Sequence, residues 1–176
     1  MLSKPSLKKR RYWIKPLKWV KEDEVWKHWR AVDQIPDEIV NWKTEVRGKL
    51  PNIVAWFRSK IEKDDLDKIY IISSDDWKVL VQSFKLVDAV KSLEENQQTS
   101  LGESILETKK VYEKDLDGLD RVLVFVAPTI KGNYTIIDGN KRAVALLSLK
   151  KLIGLQVYLG ISPKIRDYYW AKYTPV

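Results

Sequence analysis

The sequence contains no cysteine and only one histidine, His28, among its 176 residues. The absence of cysteine excludes disulfides and thiol nucleophiles within the chain. A single histidine gives poor support for a multi-histidine metal site or a Ser-His-Asp triad. His28 stands between Trp26 and Trp29 in a helical pattern, so we assign it to structure rather than to catalysis.

Long apolar stretches are also missing. No run reaches the roughly 18 residues that a membrane-spanning helix needs, and no apolar segment follows the first basic residues as it would in a secretory signal. The composition, 44% hydrophobic and 32% charged, is typical of a folded soluble protein. These features predict a cytoplasmic protein without a membrane span.

Positive charge is concentrated near the start of the chain. The net charge is +8, and residues 1–30 hold ten of the 32 Lys and Arg residues but three of the 24 Asp and Glu residues. Cations that alternate with aromatic rings suit contacts to nucleic-acid phosphates and stacking on bases. An anionic membrane surface, a partner protein, or docking on the chain's own domain stay as alternatives. The predicted contacts to DNA or RNA are Lys8, Lys9, Arg10, Arg11, Trp13, Lys15 and Lys18.

The pattern of apolar residues divides the chain into four parts. Residues 1–21 form a basic aromatic arm, residues 22–63 a helical extension, residues 64–165 an α/β domain and residues 166–176 an aromatic tail. In the extension, Val54, Phe57 and Ile61 share one helical face. The six tryptophans before residue 57 are assigned to packing.

Strands and helices alternate in the third part. We expect strands at 68–74, 121–128, 133–138 and 155–161, and helices at 75–93, 105–116 and 140–152. The strands at 121–128 and 133–138 should form a hairpin, and residues 133–161 a βαβ-like unit whose helix covers the sheet. The predicted fold class is therefore mixed α/β (α+β): a small mixed sheet with flanking helices, plus a Trp-rich helical extension.

One turn, in the stretch YTIIDGNKRAVALL, carries most of the chemistry. Lys141 and Arg142 stand in the first helical turn, where unpaired amides make a cation cost about 0.3–1 kcal/mol. A bound anion would make the two cations favourable there instead of costly. Gly139 lets a ligand approach the backbone, and Asn140 can cap the helix. The cations and the free amides would then cradle a phosphate. Asp138 is placed to hold Mg²⁺ or to accept a proton. A plain turn between strand and helix is the alternative.

The run from Tyr134 to Ile161 resembles the ParB/sulfiredoxin superfamily. Its members carry a strand, a D-G-x-x-R box, an alanine-rich helix and a G-L-x-x-V/I step into a strand. In this chain the box is Asp138–Arg142, the helix is AVALLSLKKL and the step into the strand is IGLQVYL. Upstream, GLDRVLVFV is similar to the family's strand entry, with Val122 where proline is usual. The resemblance covers roughly residues 110–162 and implies a ParB/sulfiredoxin-like fold.

The branches of this superfamily imply different activities. Sulfiredoxins use a cysteine in the box, which this chain lacks, so that activity is excluded. ParB-type proteins bind nucleotide phosphates through the box, and nuclease and ATPase activities have been attributed to small ParB-like proteins. In the archaeal free serine kinases the box aspartate is implicated in phosphoryl transfer, and Asp138 matches it. The resemblance thus implies a phosphate ligand without naming a reaction. Together with the position of Asp138, it leads us to expect Mg²⁺ with a nucleotide as the cofactors.

D-G-N-K-R is also the core of the Fic/Doc signature, which is a rival interpretation. That signature places an essential His-Pro-Phe where this chain has Tyr134, Thr135 and Ile136. Fic domains are helical at this point, whereas the flanking segments here have the pattern of strands. The rival is therefore disfavoured.

Two functional hypotheses follow. The first is a phosphate- or nucleotide-binding protein at Asp138–Arg142 that, if it is an enzyme, is a nucleotide hydrolase, nuclease or kinase-like phosphotransferase. Metal chemistry of this kind usually needs a second acid, for which Asp75, Asp76 and Glu113 are candidates. The second hypothesis is a non-enzymatic DNA-binding or adaptor protein that uses the basic arm.

Overall fold

The computed structural model describes residues 15–31, 48–51, 54–114, 122–168 and 171. These residues form one six-stranded mixed sheet with helices packed against it. The strands are β1 (Lys15–Val20), β2 (Ala55–Lys60), β3 (Ile69–Tyr70), β4 (Leu123–Ala127), β5 (Tyr134–Asp138) and β6 (Gln156–Ile161). The helices are α1 (Glu22–Ala31), α2 (Asp75–Lys78), α3 (Leu86–Leu93), α4 (Ser100–Lys114) and α5 (Asn140–Ser148), with 3₁₀ turns at Lys63–Lys68 and Pro163–Asp167.

The strand order across the sheet is β1-β2-β6-β4-β5-β3. The β3–β5 and β4–β6 pairs are parallel, and the three other pairs are antiparallel. The mixed α/β class and the β4–β5 hairpin that the sequence predicts are therefore confirmed.

Both faces of the central strands are covered. Every residue of β4 and β5 is buried. On the first face, Leu123 and Phe125 join a core cluster with residues of α3, α4 and α5. On the second face, Val124 and Val126 join a smaller cluster with α1 and the 3₁₀ turn after β6. Burial on two sides explains why β4 is a continuous apolar run rather than an alternating one.

The segment from β5 to β6 does not form the βαβ unit that we predicted. β4 lies between β5 and β6, antiparallel to the first and parallel to the second, so β5 and β6 run in opposite directions. Helix α5 does cover the first face, as expected. It ends at Ser148 rather than at residue 152, and Lys150 then takes a left-handed conformation with φ of 58°.

Two predicted helices are wrong. Residues 55–60, predicted as helix, form strand β2, which pairs with β1 and β6. The helix predicted over 75–93 is split into α2 and α3, because Phe84 adopts a φ of 54° between them. Trp77, Leu80 and Phe84, three apolar residues within the predicted helix, are all buried.

The start of the described chain belongs to the same sheet. Strand β1 lies in the predicted arm and β2 in the predicted extension, so one sheet crosses both predicted boundaries. Helix α1 begins at Glu22, where the predicted helical extension starts, but residues 32–47 of that extension lie outside the described residues. Trp26 packs edge-on against Trp56, with ring centroids 5.5 Å apart, which confirms the packing role for these two rings. Trp19 is 59% exposed, so the packing role predicted for this ring is wrong.

A buried carboxyl group lies in the first 3₁₀ turn. Asp65 has no exposed surface, its Oδ2 accepts a hydrogen bond from the Glu62 amide at 2.7 Å, and its Oδ1 has no partner among the described residues. Burial is the main cause that raises the pKa of Asp65, to about 7.

No helix within the described ranges is both long enough and apolar enough to cross a membrane.

Candidate functional site

The turn between β5 and α5 is built around Gly139. Its φ of 89° and ψ of 27° lie in the left-handed region, where glycine is favoured. A Cβ at this position would lie 2.4 Å from Leu123 Cδ2 and 3.2 Å from Arg142 Nε. The sequence therefore needs glycine here for two reasons, the backbone conformation and the close approach of two side chains.

Arg142 is paired with Asp138. Its Nη2 donates a hydrogen bond to Asp138 Oδ2 at 2.8 Å, and the two side chains are only 14% and 12% exposed. The carboxylate neutralises one of the two cations that appear misplaced in the first turn of α5. A carboxylate is also favoured beside the positive end of a helix. The interaction links the last residue of β5 to the first turn of α5.

Lys141 extends toward another helix. Its Nζ donates a hydrogen bond to Ser104 Oγ of α4 at 2.9 Å, in an exposed setting. No described carboxylate forms an ion pair with Lys141. One carboxylate and two cations thus leave the turn with one net positive charge.

Asn140 fixes the turn to the neighbouring strand. Its side chain is buried, and its Oδ1 accepts a hydrogen bond from the Ile72 amide at 3.1 Å. The cap position of α5 is occupied by Gly139, so Asn140 does not cap the helix as we expected. Its side-chain oxygen instead holds the chain that continues from β3 beside the turn.

The candidate second acids lie in two different places. Strands β3 and β5 are parallel, so their carboxyl ends lie at the same end of the strands. Asp75 and Asp76 begin α2 shortly after β3, at that end. Asp75 is fully exposed and accepts a hydrogen bond from Lys78 Nζ at 2.6 Å, which lowers the pKa of its carboxyl group. Within the described part of the chain, no three acidic or histidine side chains are grouped closely enough to hold a metal ion.

Glu113 lies farther from the turn. It is paired with Lys109 on α4, with a separation of 4.0 Å, and is nine residues beyond Ser104. A helix rises about 1.5 Å per residue, so this is about 14 Å along the axis. Glu113 is therefore a weaker candidate than Asp75 or Asp76.

Most of the predicted nucleic-acid contacts lie outside the described residues. This applies to Lys8, Lys9, Arg10, Arg11 and Trp13. Lys15 and Lys18 belong to β1, a strand at the edge of the described sheet, and Lys18 is exposed beside Trp19.

The Asp138–Arg142 pair and the Ser104 contact were missed from the sequence. The helical i,i+4 rule could not indicate the first, because Asp138 belongs to β5 and only Arg142 is in the helix. The second had no signal either, since Ser104 lies 37 residues away in the chain. Comparisons with protein-family models, with curated proteins and with solved structures gave no match.

Proposed function

We propose that the Asp138–Arg142 turn binds the phosphate of a nucleotide or of another phosphorylated ligand. The observation that carries the proposal is the start of α5: a left-handed glycine, two cations in the first turn and a single carboxylate beside them. Backbone amides and cations at a helix amino terminus favour bound anions. The resemblance of the D-G-x-x-R box to ParB/sulfiredoxin proteins agrees with this chemistry.

Arg142 has donors left for a ligand. A guanidinium carries five N–H groups, and the bond to Asp138 uses Nη2. The carboxylate holds the guanidinium against Gly139, so little side-chain freedom remains to be lost on binding. Lys141, whose side chain is exposed and whose bond within the described residues is to the Ser104 hydroxyl, can turn toward the same phosphate.

The bond to Arg142 uses Oδ2 of Asp138, so Oδ1 is the oxygen that would bind Mg²⁺ or accept a proton from an attacking water or hydroxyl while Arg142 holds the phosphate. Asp75 and Asp76, which follow the carboxyl end of β3 beside that of β5, are the candidates for a second acid. Hydrolysis or transfer of a phosphoryl group is thus the reaction class that this arrangement would serve, as in a nucleotide hydrolase, nuclease or kinase-like phosphotransferase.

A thermal-shift panel of nucleotides, with and without Mg²⁺, tests the proposal. We expect at least one nucleotide to raise the melting temperature of the wild-type protein, because a ligand that binds only the folded state stabilises it. The Lys141→Ala and Arg142→Ala variants should lose most of that shift, while Lys114→Ala, an exposed lysine at the end of α4, should keep it. Absence of any shift at millimolar nucleotide would reject the proposal.

A second candidate function, non-enzymatic binding of nucleic acid through the basic arm, rests on the exposed Lys18 and Trp19 of β1 and on the charge before them. Since β1 is part of the sheet, a deletion that tests the arm should remove residues 1–14 and stop there. The shortened chain should bind DNA more weakly and with a smaller salt dependence. Unchanged affinity and salt slope would exclude this role for the arm.

A further inference from the structure

A cleft of about 450 Å³ lies at the other end of the β4–β5 hairpin from Asp138. It opens between the hairpin loop and the 3₁₀ turn Pro163–Asp167, on the second face of the sheet. Thr135 of β5 lines it, three residues from Asp138 and therefore about 10 Å away along the strand. The lining residues are Pro128, Thr129, Lys131, Gly132, Asn133, Thr135, Ile165, Arg166 and Ala171.

The charge in this cleft is of one sign. Lys131 and Arg166 line it, both are exposed, and neither forms an ion pair with a described residue. No described Asp or Glu contributes to the lining. Behind the loop, Lys68 Nζ donates a hydrogen bond to the Lys131 carbonyl at 3.4 Å.

The loop that carries Lys131 is held in place by hydrogen bonds within the loop itself. The Lys131 amide donates to Thr129 Oγ1 at 3.2 Å, and the Gly132 amide donates to the Thr129 carbonyl at 3.3 Å. Gly132 has a φ of 130°, and a Cβ there would lie 2.9 Å from Lys68 Cδ. The loop therefore presents its cation from a fixed backbone, which lowers the entropy lost when a ligand binds.

The remaining walls combine polar and apolar surface. Thr129, Thr135 and Asn133 supply two hydroxyl groups and an amide, and Ile165 and Ala171 supply apolar contacts. Small-molecule sites are concave, have volumes of roughly 300–1,000 Å³ and place a few polar groups in an apolar lining. This cleft has that size and that mixture, together with an uncompensated positive charge.

We propose that the cleft binds a small organic anion, with Lys131 and Arg166 contacting its carboxylate or phosphate oxygens and Ile165 contacting its apolar part. An arginine matches either oxyanion because its planar fork of donors fits two oxygens at once. The site is separate from the turn at Asp138, and neither depends on the other being occupied.

The test is an amide chemical-shift titration of the full-length chain with inorganic phosphate and, separately, with citrate at constant ionic strength. Binding in the cleft should produce saturable shifts at the amides of Lys131, Gly132 and Arg166 that sodium chloride alone does not produce. The double variant Lys131→Gln/Arg166→Gln should bind about tenfold more weakly or worse, because hydrogen bonds to charged donors are lost.

A matched control removes two positive charges elsewhere. The Lys63→Gln/Lys114→Gln variant has the same net charge as the test variant, and both of its positions are exposed, so it should retain wild-type affinity. Three results would overturn the proposal. They are unchanged affinity in Lys131→Gln/Arg166→Gln, an equal loss of affinity in the control variant, and no saturable chemical shift with either probe. The probe that binds assigns the ligand as a phosphate or a carboxylate.

The titration separates this site from the turn because each amide reports its own neighbourhood. Shifts at Gly139 and Lys141 without shifts at Gly132 would support the proposed function and reject the cleft. The reverse pattern would support the cleft and show that the turn does not bind inorganic phosphate, while the nucleotide panel decides the proposed function of the turn.

Discussion

Replacing Asp138 by alanine leaves the Arg142 guanidinium unpaired beside the positive end of α5, with only 14% of its side chain exposed. The lost charge-assisted hydrogen bond is worth about 1.5–3 kcal/mol, and the lost favourable interaction of the carboxylate with the helix dipole adds about 0.3–1 kcal/mol. We therefore expect Asp138→Ala to lower the free energy of unfolding by about 2–4 kcal/mol.

Replacing Arg142 should cost less. The same hydrogen bond is lost in Arg142→Ala, but Asp138 keeps its interaction with the helix dipole, and removing an unfavourably placed cation returns about 0.3–1 kcal/mol. The two single variants should consequently differ by about 1 kcal/mol, with Asp138→Ala the less stable. In a double-mutant cycle the coupling between the two residues should be about 1–3 kcal/mol.

Urea unfolding of the wild type, the two single variants and the double variant measures this coupling. The exposed pair Asp75 and Lys78, whose 2.6 Å contact is just as short, is the control. It should give little coupling, because both of its groups face solvent. A coupling between Asp138 and Arg142 below about 0.5 kcal/mol, or a larger cost for Arg142→Ala, would refute this account of the turn.

Three further predictions concern single residues. Gly139→Ala should destabilise the fold by about 2 kcal/mol or more, since it forces a left-handed alanine against Leu123; a change under about 0.5 kcal/mol in urea unfolding would contradict this. Asn140→Ala should cost about 1–3 kcal/mol because the partly buried Ile72 amide loses its acceptor, and Asn140→Asp, which keeps an acceptor oxygen, should cost less in the same assay. Asp65, with a pKa raised from 3.8 to about 7, keeps a proton in the folded state that the unfolded state releases. The contribution of Asp65 to stability should therefore be greatest below about pH 4 and fall by at most about 4 kcal/mol as the pH rises to about 7; Asp65→Asn should lose that component of the pH dependence, and an unchanged slope in the variant would show that another group is responsible.

The centre of the fold could be predicted from local patterns. Strands β4, β5 and β6 and helix α5 follow from continuous apolar runs bounded by turn residues, and each pattern agrees with the packing that the structure shows. The position of the turn at Gly139 followed for the same reason, since a left-handed residue between strand and helix needs glycine.

Strand β2 could not be predicted in this way because its sequence fits two periods. Val54, Phe57 and Ile61 have helical spacing, while Trp56, Arg58 and Lys60 alternate as in a strand. Pairing with β1 and β6 decides between the two, and neither partner is close in sequence. The order of the strands could not be predicted for the same reason, since nothing in the local sequence indicates that β4 lies between β5 and β6.

The candidate site was predicted in its residues but not in its contacts. Helix polarity identified Lys141 and Arg142 as cations that need a negative partner. In the structure the partner of Arg142 is Asp138, and Lys141 contacts a hydroxyl on another helix. Which contacts form depends on how α4 and α5 pack, and that depends on the tertiary fold.

The measurement that tests the central claim most directly is a nucleotide titration with Mg²⁺, followed at the amides of Gly139, Lys141 and Arg142. Phosphate binding at the turn predicts saturable shifts at these three amides in the wild-type chain, and their loss in the Lys141→Gln/Arg142→Gln variant. Unmoved amide signals at millimolar nucleotide, or shifts that persist in that variant, would contradict it.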